Sequence, residues 1–175
     1  MNIKVAIRLI QKNDASDVQK YAADSEVSKT SNVPYPYPGD GGVQFVERVI
    51  ASRNAGYQYA FSIRYGDNFA GVMTLNSVDK AGGMAELDYW VAVPFWNKGI
   101  ATAAAKEAIR YAFEELGLTT LYSSSLVRNP ASARVLEKNG FTQISEFVND
   151  GSFGTKFEGE PMKRFRLLRA DWETR

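Results

Sequence analysis

Residues 86–102 read Glu-Leu-Asp-Tyr-Trp-Val-Ala-Val-Pro-Phe-Trp-Asn-Lys-Gly-Ile-Ala-Thr. This order predicts an apolar strand that ends at Pro94, a short loop, and a helix that begins at a glycine. The first turn of a helix leaves backbone N–H groups unpaired and carries the positive end of the helix dipole. Gly99 and Ala101 keep the approach open for a phosphate, and Lys98 adds a positive charge. From these residues alone, the loop is either an anion site or a βα turn whose glycine serves packing.

Periodicity around this loop predicts a single α+β domain over residues 1–175, with no internal repeat. We predict strands at 2–9, 57–64, 69–78, 85–93, 118–126, 141–148 and 160–168, and helices at 15–23 (after an N-cap at Asp14), 43–54, 101–116 and 130–139. Because a helix lies between the strands at 85–93 and 118–126, these two should be parallel neighbours. Hairpins elsewhere make the rest of a sheet of six to seven strands mainly antiparallel.

Charge and hydropathy limit the classes of partner. Lys and Arg number 21 against 20 Asp and Glu, and no basic block is present, which argues against nucleic acid. No apolar run approaches the roughly 20 residues of a membrane span, and the N-terminus lacks a signal-peptide pattern. We therefore expect a cytoplasmic protein that binds neither nucleic acid nor membrane.

The chain contains no His and no Cys. This excludes Cys–His nucleophiles, Ser-His-Asp triads and His/Cys zinc sites. We expect no metal. Any catalysis must use carboxylates, hydroxyls, amines and backbone dipoles. Such a set suits a substrate that arrives already activated, for example a thioester.

Three motifs resemble one superfamily. The sequence Trp96-x-x-Gly99-x-Ala101 resembles the acetyl-coenzyme A signature of the GNAT superfamily, (Gln/Arg)-x-x-Gly-x-(Gly/Ala), with Trp96 at the first position. Residues 129–141 resemble the N-x-x-S-x-x-x-(L/M)-E-K-x-G-F pattern of the ribosomal-protein N-terminal acetyltransferases, and Pro-Tyr-Pro-Tyr-Pro at 34–38 is similar to a loop of that branch. The motifs keep the family's order and cover nearly the whole chain.

The resemblance implies a GNAT-like fold with acetyl-coenzyme A as co-substrate. In such a fold the strand that ends at Val93 splays away from its parallel neighbour near residue 122, and the pantetheine arm lies in the opening. The residues that the resemblance assigns to the cofactor are Val91, Ala92 and Val93 (backbone pairing with pantetheine), Lys98, Gly99, Ile100, Ala101 and Thr102 (pyrophosphate), and Asn129 (pantetheine or a bound water). The alternatives are that residues 91–93 are ordinary core strand and that Asn129 is an N-cap before Pro130.

The resemblance also implies catalytic residues. Glu86 is the candidate general base, because an attacking amine must lose a proton; the alternative is an ion pair with a Lys or Arg. Asp88 shares its strand face and could help to bind an ammonium group, or be solvated. Ser132 is the candidate acid near the leaving thiolate, since Leu136 stands where many family members have Tyr.

The expected acceptor is a primary amine. Tyr35 and Tyr37 lie in the loop that walls the acceptor side in the family, and the loop 149–159, with Phe153 and Phe157, is a second candidate wall; both could be ordinary surface loops. By resemblance the amine is a protein N-terminus, such as that of a ribosomal protein, or a polyamine, amino acid or antibiotic. A catalytically silent coenzyme A-binding regulatory module is the alternative of another class, and a homodimer is one option for assembly.

Overall fold

The computed structural model describes residues 4–175 and contains a seven-stranded mixed sheet in the order β1-β2-β3-β4-β5-β7-β6. The strands are β1 (Val5–Leu9), β2 (Tyr59–Tyr65), β3 (Asn68–Asp79), β4 (Met84–Val91), β5 (Thr120–Leu126), β6 (Thr142–Val148) and β7 (Pro161–Leu168). All seven predicted strands are confirmed, although residues 2 and 3 of the first lie outside the described residues. The hairpin of β2 and β3 is antiparallel, as its turn residues predict.

The helices are α1 (Ala15–Ala22), α2 (Ser25–Ser28), α3 (Gly41–Asn54), α4 (Ile100–Arg110), α5 (Pro130–Lys138) and α6 (Arg169–Glu173), and a π-helical turn at Tyr111–Glu115 extends α4. Four of these were predicted. The two that were not, α2 and α6, have four and five residues, which is too short for a periodic pattern to be recognised.

Asp14 stands at the N-cap position of α1 as predicted, but its side chain makes no capping bond. Its carboxylate instead accepts two hydrogen bonds from the Arg8 guanidinium, at 2.8 and 2.7 Å, and one from the backbone N–H of Gln11 at 2.8 Å. Asp14 is only 2% exposed, and the charge of Arg8 and its hydrogen bonds offset the loss of hydration of the buried carboxylate.

Helices cover both faces of the sheet. On one face the small residues Ala104, Ala105 and Ala108 let α4 approach the strands closely, and they share a core with Leu87 and Leu121. On the other face, helices α1 and α3 pack a second apolar cluster against β2 and β3. The result is a three-layer arrangement in which the sheet has its own core on each side.

The parallel pair of β4 and β5 forks. Their pairing runs only from Met84 opposite Thr120 to Glu86 opposite Tyr122, although both strands continue beyond. This confirms the predicted parallel neighbours and the predicted splay near residue 122. The hydroxyl of Ser123 donates to the carbonyl of a β4 residue, Leu87, at 2.7 Å, just where the strands separate.

Strand β4 ends at Val91, two residues earlier than predicted. Val93–Phe95 form a turn of 3₁₀ helix instead. Pro94 explains the difference, because its fixed φ and missing N–H suit the first turn of a helix better than a sheet.

Within the described part of the chain, we find no helix with the length and apolarity needed to cross a membrane.

Candidate active site

Two cavities open on either side of the fork. The first, about 490 Å³ and here called the anion cavity, is lined by the end of β4, the loop 95–99, the first turn of α4, and α5. The second, about 770 Å³ and here called the acceptor cavity, lies on the side of α1 and α3. The residues that line both are Thr30, Ser31, Tyr89, Trp90, Asn129 and Ser132. The two cavities therefore meet at the fork.

The start of α4 presents an open approach to the anion cavity. Gly99 has φ +73°, and a Cβ built there would meet no atom within 4 Å. The N–H groups of Ile100, Ala101 and Thr102 belong to the first helical turn, which leaves them without intrahelical partners, and all three residues line the cavity. The predicted cradle is thus assembled, and it has the geometry that binds phosphate at a helix N-terminus.

Three cations surround this cradle. Lys98 was predicted, and Arg134 and Lys138 from α5 join it, whereas none of the described residues that line the cavity is acidic. Arg134 and Lys138 are four residues apart and so share a helix face. That spacing is visible in the sequence, but which face of α5 meets α4 is decided by packing.

Trp96 stands where the family signature has Gln or Arg, and the one donor of its side chain is already hydrogen-bonded. The indole Nε1–H donates to the carbonyl of Val91 at 2.7 Å. The backbone N–H of Trp96 donates to the carbonyl of Val93 at 3.1 Å, and that of Phe95 to the carbonyl of Ala92 at 2.9 Å. All three carbonyls of residues 91–93 are therefore bonded within the chain.

The backbone N–H groups of residues 91–93 show which of these residues can donate a hydrogen bond to pantetheine. The N–H of Ala92 donates to the carbonyl of Ala70 on β3 at 2.8 Å. Val91 stands opposite Gly71, and by alternation its N–H points away from β3, toward the fork. Of the three predicted residues, Val91 and Val93 are left to offer an N–H to a ligand, and this role stays a prediction.

Glu86 is held in an ion pair. Both of its carboxylate oxygens accept from the guanidinium of Arg164, one of them at 2.7 Å from Nη1. Arg164 also donates to Ser124 Oγ at 3.0 Å and lies 5.1 Å from the ring centre of Phe153. The ion pair that the sequence left as an alternative is present, and the role of Glu86 as general base stays a prediction.

Asp88 lies on the same face at the floor of the acceptor cavity. Its Oδ2 accepts from Asn76 Nδ2 at 2.7 Å, and Asn76 Oδ1 in turn accepts from Gln58 Nε2 at 2.6 Å. Burial raises the pKa of Asp88, with a further rise from Glu86, against the hydrogen bond from Asn76 and the charge of Arg164, which lower it. The carboxylate thus resists ionisation more than an exposed one does.

Tyr89 and Ser132 meet where the two cavities join. The Tyr89 hydroxyl donates to Ser132 Oγ at 3.0 Å. Burial raises the pKa of Tyr89 to about 12, although the hydrogen bond to Ser132 opposes the rise. Tyr89 was not predicted as a site residue from the sequence. Because successive side chains of a strand alternate, Tyr89 lies on the strand face opposite to that of Asp88 and Trp90, and this could have been recognised from the sequence. Leu136, at the family's usual Tyr position, is fully buried in the core.

Asn129 precedes α5 in the predicted N-cap position. Its side chain makes no capping hydrogen bond, while its backbone carbonyl accepts from the N–H of Ser132 at 3.2 Å. Asn129 lines both cavities, as the predicted contact with a cofactor at the fork requires.

The predicted acceptor walls are only partly assembled. Tyr37 lines the acceptor cavity, where burial raises its pKa, against the charge of Arg48, which lowers it. Tyr35 is 62% exposed and is not among the lining residues. Phe153 and Phe157, from the loop 149–159, do line the cavity.

A lysine that the sequence did not single out joins the two walls. Four oxygens lie within hydrogen-bond distance of Lys156 Nζ and share its three N–H donors: Ser28 Oγ and the carbonyl of Ser31, each at 2.7 Å, the carbonyl of Val33 at 2.6 Å, and the carbonyl of Ser28. Burial, and secondarily Arg128, lowers the pKa of Lys156. We call this contact the Lys156 bracket; it holds the loop 149–159 against residues 28–33.

Comparison with known proteins agrees with this architecture. A family model described as an acetyltransferase (GNAT) domain matches residues 4–142. YdaF of Bacillus subtilis strain 168, a candidate ribosomal N-acetyltransferase, is 34% identical over 109 residues, which make up 62% of this chain and 58% of YdaF. The chain thus spans little more than half the length of this curated relative.

Two solved structures share the fold. RimL, a ribosomal L7/L12 α-N-protein acetyltransferase in complex with coenzyme A, aligns with a TM-score of 0.84 at 16% identity, over 94% of this chain and 93% of that chain. The spermidine N-acetyltransferase of Vibrio cholerae, in complex with coenzyme A and spermine, aligns with a TM-score of 0.83 at 19% identity, over 97% and 98%. The family model covers most of the chain and agrees with the three sequence motifs, so the chain belongs to the GNAT acetyltransferase domain family.

Proposed function

We propose that this chain transfers the acetyl group of acetyl-coenzyme A to the N-terminal amine of a peptide or protein. The observation that carries the proposal is the junction of the two cavities at Tyr89 and Ser132. One cavity is cationic and faces a helix start, and the other contains the carboxylates. A donor and an acceptor held in these cavities would meet at the fork.

The anion cavity fits the pyrophosphate of coenzyme A. A side chain at residue 99 would fill the approach that Gly99 leaves open, and three cations offset the phosphate charges. From this cradle, the fork leads past the N–H groups of Val91 and Val93 to the junction. Backbone donors there suit the amide carbonyls of a pantetheine arm.

Direct attack in a ternary complex is the reaction that this residue set supports. The chain has neither Cys nor His to relay an acyl group. Tyr89 donates its proton to Ser132 Oγ, so the hydroxyl proton of Ser132 is left to point elsewhere. We propose that Ser132 donates toward the leaving sulfur and that Tyr89 is the positioning residue that orients it.

The charges of the acceptor cavity favour an amine with one positive charge. The carboxylates among its described lining residues are Glu86 and Asp88, and Arg164 offsets the charge of Glu86. Arg48 adds a positive charge to the same cavity. Several ammonium groups of a polyamine would therefore find one uncompensated carboxylate, whereas a single N-terminal amine would be matched.

One relative favours the same acceptor class. YdaF carries a ribosomal acceptor in its description, and by analogy a ribosomal protein is the first acceptor to test. The likenesses to RimL and to the spermidine enzyme are likenesses of fold. Location in the cytoplasm and assembly as a homodimer stay predictions.

An acceptor screen tests the proposal. We would incubate the protein and acetyl-coenzyme A with peptides that begin with serine, alanine or methionine, with the same peptides blocked at the α-amine, and with spermidine, free amino acids and an aminoglycoside. We expect mass spectrometry to find acetyl on the α-amine of unblocked peptides. Faster acetylation of spermidine would favour the polyamine alternative. Thermal stabilisation by coenzyme A, with no release of the thiol from acetyl-coenzyme A in the presence of any of these amines, would favour a silent binding module.

A further inference from the structure

The two carboxylates on the acceptor face of β4, Glu86 and Asp88, differ in the hydrogen bonds that their oxygens accept. Both oxygens of Glu86 accept hydrogen bonds from Arg164. Paired, charge-assisted bonds of this type are the strongest that a carboxylate makes in a protein, and a proton from substrate would have to displace one of them. Glu86 is therefore poorly placed to take that proton, despite its position in the resemblance.

The Asp88 carboxylate is fixed by a hydrogen bond to one of its two oxygens. The chain of hydrogen bonds from Gln58 through Asn76 ends on its Oδ2, and each amide in that chain is oriented by the next. Among residues 4–175 we find no hydrogen-bond donor to Asp88 Oδ1. This unpartnered oxygen is not one of the buried polar atoms of the described residues, and Asp88 lines the acceptor cavity, so a substrate can reach Oδ1.

Strand geometry puts Asp88 next to the reaction centre. Successive side chains of a strand point to opposite faces, so Asp88 faces the acceptor cavity while Tyr89 reaches Ser132 on the other face. The cavities meet at this point of β4 because the fork opens there. Two adjacent residues thereby serve the acceptor side and the leaving-group side.

We propose that Asp88, rather than Glu86, binds the ammonium group of the acceptor and accepts its proton, and that Asn76 and Gln58 are positioning residues for it. Glu86 and Arg164 then form a structural pair that shapes the cavity floor. This inference rests on the proposed function, since it concerns the acceptor of that reaction.

The step balances in atoms and charge. The ammonium group gives one proton to Asp88 Oδ1, and the freed electron pair on nitrogen forms the C–N bond to the thioester carbonyl carbon. The C–S bond breaks and its electron pair leaves with sulfur. The second proton of the nitrogen passes by way of Ser132 or water to that sulfur, and Asp88 returns its proton to solvent. The products are the N-acetyl amide, the coenzyme A thiol and one proton.

The electrostatics of the site suit this role. Burial raises the pKa of Asp88 and so brings it closer to that of an amine than an exposed carboxylate would be. The other titratable groups that face the cavity around it are Tyr37, Arg48, Glu86, Tyr89 and Arg164. Of these, Glu86 and Arg164 act on Asp88 in opposite directions.

The deciding experiment compares Asp88→Asn with Glu86→Gln on the peptide that begins with serine, across pH. Asn at 88 can still accept the bond from Asn76, so we expect a folded protein with unchanged stabilisation by coenzyme A. Loss of a positioned base lowers kcat/KM by about 100-fold or more at pH 7. That loss should shrink as pH rises toward the pKa of the amine, because the substrate then arrives deprotonated. Glu86→Gln should cost much less and keep the wild-type pH profile.

A second pair of variants tests the positioning chain and remains decisive if Asp88→Asn fails to fold. The hydrogen bond from Asn76 lowers the pKa of Asp88, so Asn76→Ala should move the acidic limb of the kcat/KM profile to higher pH. Gln58→Ala should move it in the same direction by less. An unmoved limb in Asn76→Ala would overturn the inference.

The opposite pattern would also overturn it. If Glu86→Gln shows the loss that recovers with pH while Asp88→Asn stays active, Glu86 is the base. A wild-type protein that acetylates no amine would instead overturn the proposed function, and this inference with it. Activity of the wild type therefore separates the two failures.

Discussion

Trp96 shows how one residue changes the chemistry of a shared loop. A Gln or Arg side chain at this position could donate to a phosphate. The only donor of the Trp96 side chain, the indole Nε1–H, instead donates to the carbonyl of Val91. The loop 95–99 is thereby tied to the end of β4. A pyrophosphate bound here, as we propose, would depend on the N–H groups after Gly99 and on the cations that line the anion cavity.

Gly99 offers a residue-scale prediction with a matched control. Gly99 and Gly117 have nearly equal positive φ, +73° and +69°, and a Cβ at either would meet no atom within 4 Å. Glutamate at either position should therefore cost about 1–2 kcal/mol of backbone strain. Only Gly99→Glu also blocks and repels a phosphate, so we expect it alone to abolish the rise in Tm on addition of coenzyme A. Equal responses of the two variants would contradict the cradle.

At the scale of elements, α4 and α5 build the anion cavity together. Helix α4 supplies its N-terminus, and α5 turns Arg134 and Lys138 toward it while burying Ala133 and Leu136. The apolar face of α5 packs on the core of the same sheet face as α4. The cations thus reach the cavity because the opposite side of the helix is anchored.

We predict that Arg134→Gln and Lys138→Gln each weaken coenzyme A binding by roughly fivefold, close to the 1 kcal/mol upper range of a solvent-exposed ion pair. The effect should shrink at high salt, since exposed charges are screened. Isothermal titration calorimetry at two salt concentrations measures both. Lys106→Gln is the control, because Lys106 is an exposed lysine of α4 outside the cavity lining. If it weakens binding as much, overall charge rather than α5 is responsible.

At the scale of the whole molecule, the walls of the acceptor cavity come from segments that are far apart in the sequence. The Lys156 bracket joins residues that lie 123 to 128 positions apart in sequence. A second link acts beside it, since Arg128 donates to the carbonyl of Lys29 at 2.9 Å while pairing with Glu160. These contacts hold the two acceptor walls at a set distance.

We predict that Lys156→Met raises the KM for the acceptor by roughly tenfold, the effect of about 1.4 kcal/mol. The reason is that methionine cannot donate to the four oxygens, so the walls separate. Affinity for coenzyme A should change less than the acceptor KM, because only Thr30 and Ser31, among the residues 28–33 that the bracket holds, line the anion cavity. Lys12→Met, at an exposed lysine that lines neither cavity, is the control. An unchanged acceptor KM in Lys156→Met would show that the bracket does not shape acceptor binding.

The sequence by itself determined the order of elements, the β2–β3 hairpin, the parallel β4–β5 pair and the open helix start at Gly99. Each of these follows from local properties: apolar periodicity, turn residues, and the short connection through a helix. The short helices α2 and α6 were not predicted, because each has too few residues to show helical periodicity. Strand β4 ends two residues before its predicted end, because Pro94 favours the turn of 3₁₀ helix at Val93–Phe95 over a continued strand.

Only the tertiary structure decided which groups of the site are already engaged. Arg164 reaches Glu86 across 78 residues because β7 lies beside β5, and Tyr89 reaches Ser132 across 43 because α5 packs under the fork. Long-range strand order and helix packing bring these partners together, and no local pattern encodes them. That is why Glu86 and Asp88 are alike in the sequence, while in the structure both oxygens of Glu86 are hydrogen-bonded and no donor among residues 4–175 reaches Oδ1 of Asp88.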